Sequence, residues 1–361
     1  MTDLFCPLSF SRGPGMKNRL MLAPLTNQQS HADGRLSAAE YHWLTKRASG
    51  GFGLVMTAAS HVQVVGQGFP GQLGIFGDEH LEGLTRLAIG IKERGALSAV
   101  QLHHAGYRAP KELVGTPVCP SDHDETGSRG LTLDEVHQLR EDFIAAARRA
   151  EEAGFDGVEV HGAHGYILAE FLSPEVNKRT DQYGGNAENR ARLLFEIIDG
   201  IRAACRPDFQ VGLRLSPERY AQQLDEVVAV ASRVMREGKI DYLDLSLWDV
   251  TKEPEDERFR GRSLLSYFTE LPRGDVRLGA AGKVMSGQTA AWVVQSGCDF
   301  VTIGRGAILR HDFPERVRAD AAYESPALPV TISHLLDEGL SPPFIDYMNS
   351  WPGFVADQSD N

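Results

Sequence analysis

The chain has 361 residues, of which 42% are hydrophobic and 24% charged, and its net charge is −12. That length suits one barrel-sized domain or two ordinary ones, and the composition is that of a soluble globular protein. The acidic balance argues against a nucleic-acid partner, the apolar runs are strand-length rather than membrane-spanning, and Cys6, Cys119, Cys205 and Cys298 are too scattered for a disulfide framework or a cysteine-held metal cluster.

The opening MTDLFCPLSFSRG lacks the basic-then-apolar pattern of a signal peptide, so a cytoplasmic protein is expected. Residues 4–16 read as a Pro/Gly-punctuated lead-in, a hairpin plugging one end of the main domain. From Arg19 to about residue 320 a rhythm persists: an apolar run, a polar loop, an amphipathic helix, a glycine, another apolar run. The runs predict strands at Leu20–Pro24, Leu54–Thr57, Ser98–Leu102, Gly157–His161, Val211–Leu215, Tyr242–Ser246, Val276–Ala280 and Phe300–Gly304. Most are continuously hydrophobic, as parallel strands covered on both faces should be. Ser37 with Glu40 and Thr132 with Glu135 predict capping boxes. Val136, Leu139, Phe143, Ala146 and Ala150 fall on one helical stripe. Gly95, Gly154, Gly238 and Gly297 stand where left-handed helix caps belong. The expectation is an α/β fold: a (β/α)8 TIM barrel, one domain over residues 1–325. A doubly wound open sheet is the alternative, but no GxGxxG follows the first strand. Residues 326–361 form a tail rich in proline and aromatics (Phe344, Tyr347, Trp351, Phe354), packing on its own barrel or on a neighbouring subunit.

Long connections at His103–Gly130, Leu172–Asn186 and Trp248–Arg262 all follow carboxyl ends of strands, the face where barrels build active sites. The fourth strand ends in His161, His164 and Tyr166, separated by Gly162 and Gly165, which allow sharp turns. Two imidazoles and a phenol there are donors and acids for chemistry. Arg214 ends an apolar strand, where it needs an anion, a carbonyl-rich partner or a structural ion pair. Glycine turns at Ala281-Gly282-Lys283 and Gly304-Arg305-Gly306 stand where many barrels bind phosphate. A metal-dependent hydrolase using His161, His164 and His103 is a rival reading, but no strand-end carboxylate completes its ligand set, so no metal is expected.

The run HGAHGYILAEFLSPEVNKRTDQYGGNAENRAR resembles the signature of the old yellow enzyme family, flavin-dependent ene-reductases on a (β/α)8 barrel. The likeness extends from Ala23-Pro24-Leu25-Thr26 through Val100-Gln101-Leu102 and Gly212-Leu213-Arg214 to Ile303-Gly304-Arg305-Gly306. It implies non-covalent FMN, with NAD(P)H as reductant, and a small α,β-unsaturated carbonyl substrate reduced by a ping-pong hydride transfer. By the same resemblance Ala23, Pro24, Thr26 and Ala58 line the flavin ring, and Gln101 pairs with its pyrimidine edge. Arg214 lies near N1 and the C2 carbonyl, while Gly282, Gly304 and Arg305 hold the phosphate. His161 and His164 bind the substrate's activating oxygen and Tyr166 protonates its α-carbon. Thr26 and Gln28 replace the cysteine and tyrosine of one branch of the family, Gln28 standing at a substrate-contact position. Nitro compounds and quinones are alternative acceptors, and a sensing flavoprotein is a further alternative. His103 and His104 are expected to serve loop structure, and the aromatic tail inclines the reading to a homodimer or larger assembly.

Overall fold

The structure, a computed structural model, describes residues 4–356. Eight parallel strands close into a barrel: β1 (Leu20–Leu22), β2 (Leu54–His61), β3 (Leu97–His103), β4 (Gly157–Gly162), β5 (Gln210–Leu215), β6 (Tyr242–Ser246), β7 (Arg277–Ala281) and β8 (Phe300–Ile303). Each strand pairs with the next in sequence, and β8 returns to β1 with Leu20 opposite Val301. Every residue of β4 and β5 is buried, because one side of each strand fills the barrel interior and the other meets the helices.

The helical ring follows from the sequence stripes. In the helix Leu133–Glu152 the buried residues include Val136, Leu139, Phe143, Ala146 and Ala150. Thr132 and Glu135 close a reciprocal capping box at its start. Gly95, Gly154, Gly238 and Gly297 all have positive φ, between 60° and 106°, and each turns the chain from a helix toward the next strand.

The other predicted box forms only half. Ser37 accepts from the Glu40 N–H, but the Glu40 carboxylate, fully buried, turns away to Asn27 Nδ2 (2.9 Å) and the Ser30 hydroxyl. Two donors from the β1 loop outcompete the helix's own backbone N–H. The result ties the segment after Thr26 to the helix Ala38–Ser49.

An antiparallel bridge between Leu8 and Met16 makes the lead-in a hairpin. Leu8 and Met16 pack with Met21, Leu54, Met56, Ala99, Tyr242 and Phe300, closing the amino-terminal end of the barrel. At the opposite end the tail helices Ile332–Asp337 and Pro342–Asn349 lie on the chain's own barrel. The Phe344 ring meets Trp43 edge-on at 5.4 Å, and both side chains are fully buried. A Phe344→Ala substitution should therefore cost about 3–5 kcal/mol through the cavity it opens, measurable as a lowered denaturation midpoint.

Candidate active site

One cavity at the carboxyl face gathers residues at or just beyond the ends of all eight strands and from the tail. One wall is the end of β4. The chain leaves the barrel after His161 and reverses through His164 (φ 60°) and Gly165 (φ 67°). A left-handed non-glycine residue costs energy, and here it aims the His164 ring back over His161. His164 Nδ1 lies 3.2 Å from His161 Nε2, and His164 Nε2 lies 2.7 Å from the Ser246 hydroxyl on β6. Tyr166 stands beside them, its ring centroid 5.3 Å from that of His161.

Burial sets the protonation of all three. It lowers His164 to about 3, helped by the nearby Arg214 and Arg108 charges, and holds His161 well below its ordinary value. Both imidazoles are therefore neutral, each with one N–H to donate. Burial raises the Tyr166 phenol, so it holds its proton.

Beneath this wall lies a buried polar layer. Gln101 Nε2 donates to Glu159 Oε1 (2.7 Å), which leaves the carboxamide oxygen as the end of Gln101 available to the cavity it lines. Arg214 Nε is 3.1 Å from Asp244 Oδ2, and Thr302 Oγ1 donates to Asp244 Oδ1 at 2.9 Å. The Arg214–Asp244 contact is electrostatic rather than a directed hydrogen bond, since neither atom has a well-aligned partner. Two carboxyl groups thus share one guanidinium. Burial raises Asp244, and the Arg214 cation and the Thr302 hydrogen bond pull it back down. Burial and the neighbouring Asp244 push Glu159 up to about 8, so it carries a proton at neutral pH, and its Oε2 has no partner.

The remaining walls hold most of the other residues singled out in the sequence. Ala23, Pro24 and Thr26 line one side, Gly282 with Lys283 and Gly304 with Arg305 another. A Cβ on Gly282 would come within 2.8 Å of the Asp249 nitrogen, and one on Gly304 would stand 3.9 Å from Ala23 Cβ, in the cavity itself. The alanine of β2 is different. Ala59 lines the cavity while Ala58 is buried away from it, because the β2–β3 register shifts between Met56 and Ala59. The Thr57 hydroxyl accepts from the Gln101 N–H (3.2 Å) at this bulge. Gln28, with φ 54°, is not among the lining residues.

Several lining residues carry no functional signal in the sequence: Arg108, Tyr220, Ser246 and Met348. Trp248, Tyr347 and Trp351 stand out there only as members of a long loop and an aromatic tail. His103 and His104 sit behind the wall in a buried group with His61 and Gln72. His103 Nδ1 lies 3.1 Å from Gln72 Nε2, and His104 Nδ1 accepts from the Gly106 N–H at 3.0 Å. Burial lowers His104 to about 3 and His61 to about 4. Among the described residues no group of three or more His, Cys, Asp or Glu side chains is arranged to hold a metal ion, so the hydrolase reading lacks its ligand set.

Residues 3–324 match the NADH:flavin oxidoreductase / NADH oxidase family. A probable NADH-dependent flavin oxidoreductase, YqiG, of Bacillus subtilis (strain 168) is 36% identical over 87% of this chain and 87% of its own. An NADPH dehydrogenase of the same organism is 35% identical over 88% of this chain and 94% of its own. The old yellow enzyme homologue from Zymomonas mobilis superposes with a TM-score of 0.80 at 28% identity, covering 92% of this chain and 96% of that one. The chain belongs to the NADH:flavin oxidoreductase / NADH oxidase family, and it is an oxidoreductase of old yellow enzyme type that uses FMN with NAD(P)H as reductant.

The buried groups pull stability in opposite directions with pH. Histidines lowered by folding bind protons in the unfolded chain first, so their contribution is lost as pH falls below about 6.5. Glu159 does the reverse: the unfolded chain releases its proton near 4.3 while the folded one keeps it to about 8, so stability falls as pH rises through that window. In Glu159→Gln the decline of the melting temperature between about pH 5 and 8 should be shallower than in the parent protein, as read by a pH series of thermal melts.

Proposed function

We propose that the protein reduces the activated C=C bond of α,β-unsaturated carbonyl compounds in a ping-pong cycle. The observation that carries this reading is the convergence of two neutral imidazoles and a protonated phenol on one wall of the cavity. FMN, when bound, supplies the hydride it has received from NAD(P)H. The residues fit that cofactor: a cation and a carboxamide oxygen for the pyrimidine edge, and side-chain-free glycines beside Arg305 for the phosphate. Ala23, Pro24, Thr26 and Ala59 border the ring, Gln101 and Arg214 take its polar edge, and Gly282, Gly304 and Arg305 take the phosphate.

His161 and His164 donate to the substrate's carbonyl oxygen. To do so their mutual hydrogen bond opens, the ring that accepted in it takes the tautomer with its proton on the nitrogen facing that oxygen, and Ser246 holds the His164 ring. The two donors draw charge from the double bond and make its β-carbon electrophilic. Tyr166 then gives its proton to the α-carbon. Burial weakens the phenol as an acid, but the carbanion-like intermediate is a strong base, so transfer remains downhill.

The first test is the visible spectrum of the purified protein without oxygen. Flavin bands that bleach with NAD(P)H and return with cyclohexenone support the reading; bleaching without return overturns it. Tyr166→Phe should bleach at the normal rate yet lose about 10²-fold or more in reoxidation by the enone. His161→Ala should weaken enone binding about tenfold, seen in the concentration dependence of the same phase, through loss of about 1.4 kcal/mol of hydrogen bonding.

A further inference from the structure

The wall that carries Tyr166 and His164 also carries a cation with no part in ene-reduction as proposed. Arg108 follows β3 in the loop after Gly106 and lines the same cavity. Its guanidinium lies over the Tyr166 ring at 5.2 Å and over Tyr220 at 5.6 Å, and its Nη1 donates to the His164 carbonyl at 3.0 Å. Two rings and a backbone oxygen thus orient a planar group with further N–H donors. Tyr220 reaches this position through consecutive left-handed residues, Arg219, Tyr220 and Ala221, a strained turn pinned by Gln222 Nε2 on the Ala169 and Tyr220 carbonyls.

Arg108 makes no ion pair among the described residues. Its nearby acid, Glu170, is fully buried and pushed well above the usual carboxylate range by that burial. The Glu170 oxygen Oε1 is taken up by the Tyr107 N–H (2.9 Å). The other cations of the cavity have uses. Arg214 faces Asp244 at 3.1 Å, Lys283 faces Asp249 at 3.1 Å, and Arg305 stands at the phosphate end.

The geometry points to Arg108 as the recognition group for a substrate carboxylate: the acceptors this site favours are unsaturated oxo acids, with their ketone or aldehyde oxygen on His161 and His164 and their carboxylate on Arg108. This rests on the ene-reduction reading and narrows it to anionic substrates. The carboxylate does not react; it fixes the direction in which the double bond lies and raises the local concentration of anionic over neutral enones. Arg108 is exposed, so solvent screens the interaction and salt weakens it.

The test compares trans-4-oxo-2-pentenoate, its methyl ester and cyclohexenone with the FMN-loaded parent protein, Arg108→Gln and Arg108→Lys. The expected result is a drop of about tenfold or more in kcat/KM for the acid alone in Arg108→Gln, with partial retention in Arg108→Lys and a preference for the acid that shrinks with added salt. Equal losses on acid and ester overturn the proposal, since Arg108 would then only position His164 and Tyr166. A change in the NADPH-to-NADH ratio without a change in the acid-to-ester ratio also overturns it, because the anion would be the dinucleotide's phosphate. Binding of the saturated acid levulinate, followed through the flavin band of the oxidised protein, separates this proposal from the broader one. If no enone is reduced but levulinate binds the parent and not Arg108→Gln, the carboxylate site stands and the ene-reduction reading falls. Equal levulinate binding to both proteins, or to neither, overturns the carboxylate site.

Discussion

One guanidinium buried against two carboxyl groups governs the interior of this barrel. Arg214 sits on β5 with Asp244 beside it on β6 and Glu159 across on β4, all of them almost inaccessible to water. A buried charge is costly unless paired, and a second buried carboxylate would leave the group net negative. Protonation of Glu159 resolves this. The neutral acid still accepts from Gln101, so the amide is held with its oxygen toward the cavity. The carboxyl group of a residue outside the cavity wall thus sets which end of the Gln101 amide the cavity meets.

Comparable polar ties hold several chain segments at the carboxyl face of the barrel. Glu40 abandons its own helix to bind Asn27 and Ser30, which stiffens the segment carrying Thr26. The Thr57 hydroxyl fills the gap that the β2 bulge leaves in the ladder and receives the Gln101 N–H. Ser246 does the same for His164 from β6, two strands away. In each case a strand or helix supplies a rigid base, and one hydrogen bond converts a loop end into a positioned side chain.

These ties also mark what the sequence could and could not reveal. Continuous apolar runs and post-helix glycines made all eight strands legible, because burial on both faces and left-handed caps leave composition that needs no tertiary information. The cluster at the end of β4 was legible for the same local reason: two histidines and a tyrosine separated by glycines must lie close together. Ala59 was not, since a bulge changes which residue faces inward without changing residue types. Glu40 fitted a capping box by spacing, and only the folded loop offered it better donors. Ser246, Tyr220 and Met348 come to the cavity from remote parts of the chain, and nothing in their local sequence distinguishes them from ordinary strand, loop and helix residues.

The resting hydrogen bond between the two histidines bears on how such a site discriminates between ground and transition states. In the proposed ene-reduction, neutral imidazoles already bonded to each other gain only modestly in binding by turning to a weakly basic ketone oxygen. They gain far more as that oxygen acquires enolate character, because a donor to an anion forms a bond roughly twice as strong as one to a neutral acceptor. The exchange therefore costs most when substrate first binds and is repaid as charge develops, which is the condition for lowering a barrier rather than merely tightening binding. Protonated histidines would bind any anion strongly from the outset and lose that difference. Under the proposed mechanism, burial, by keeping His161 and His164 neutral, would reserve their donors for the oxygen whose charge appears during the reaction.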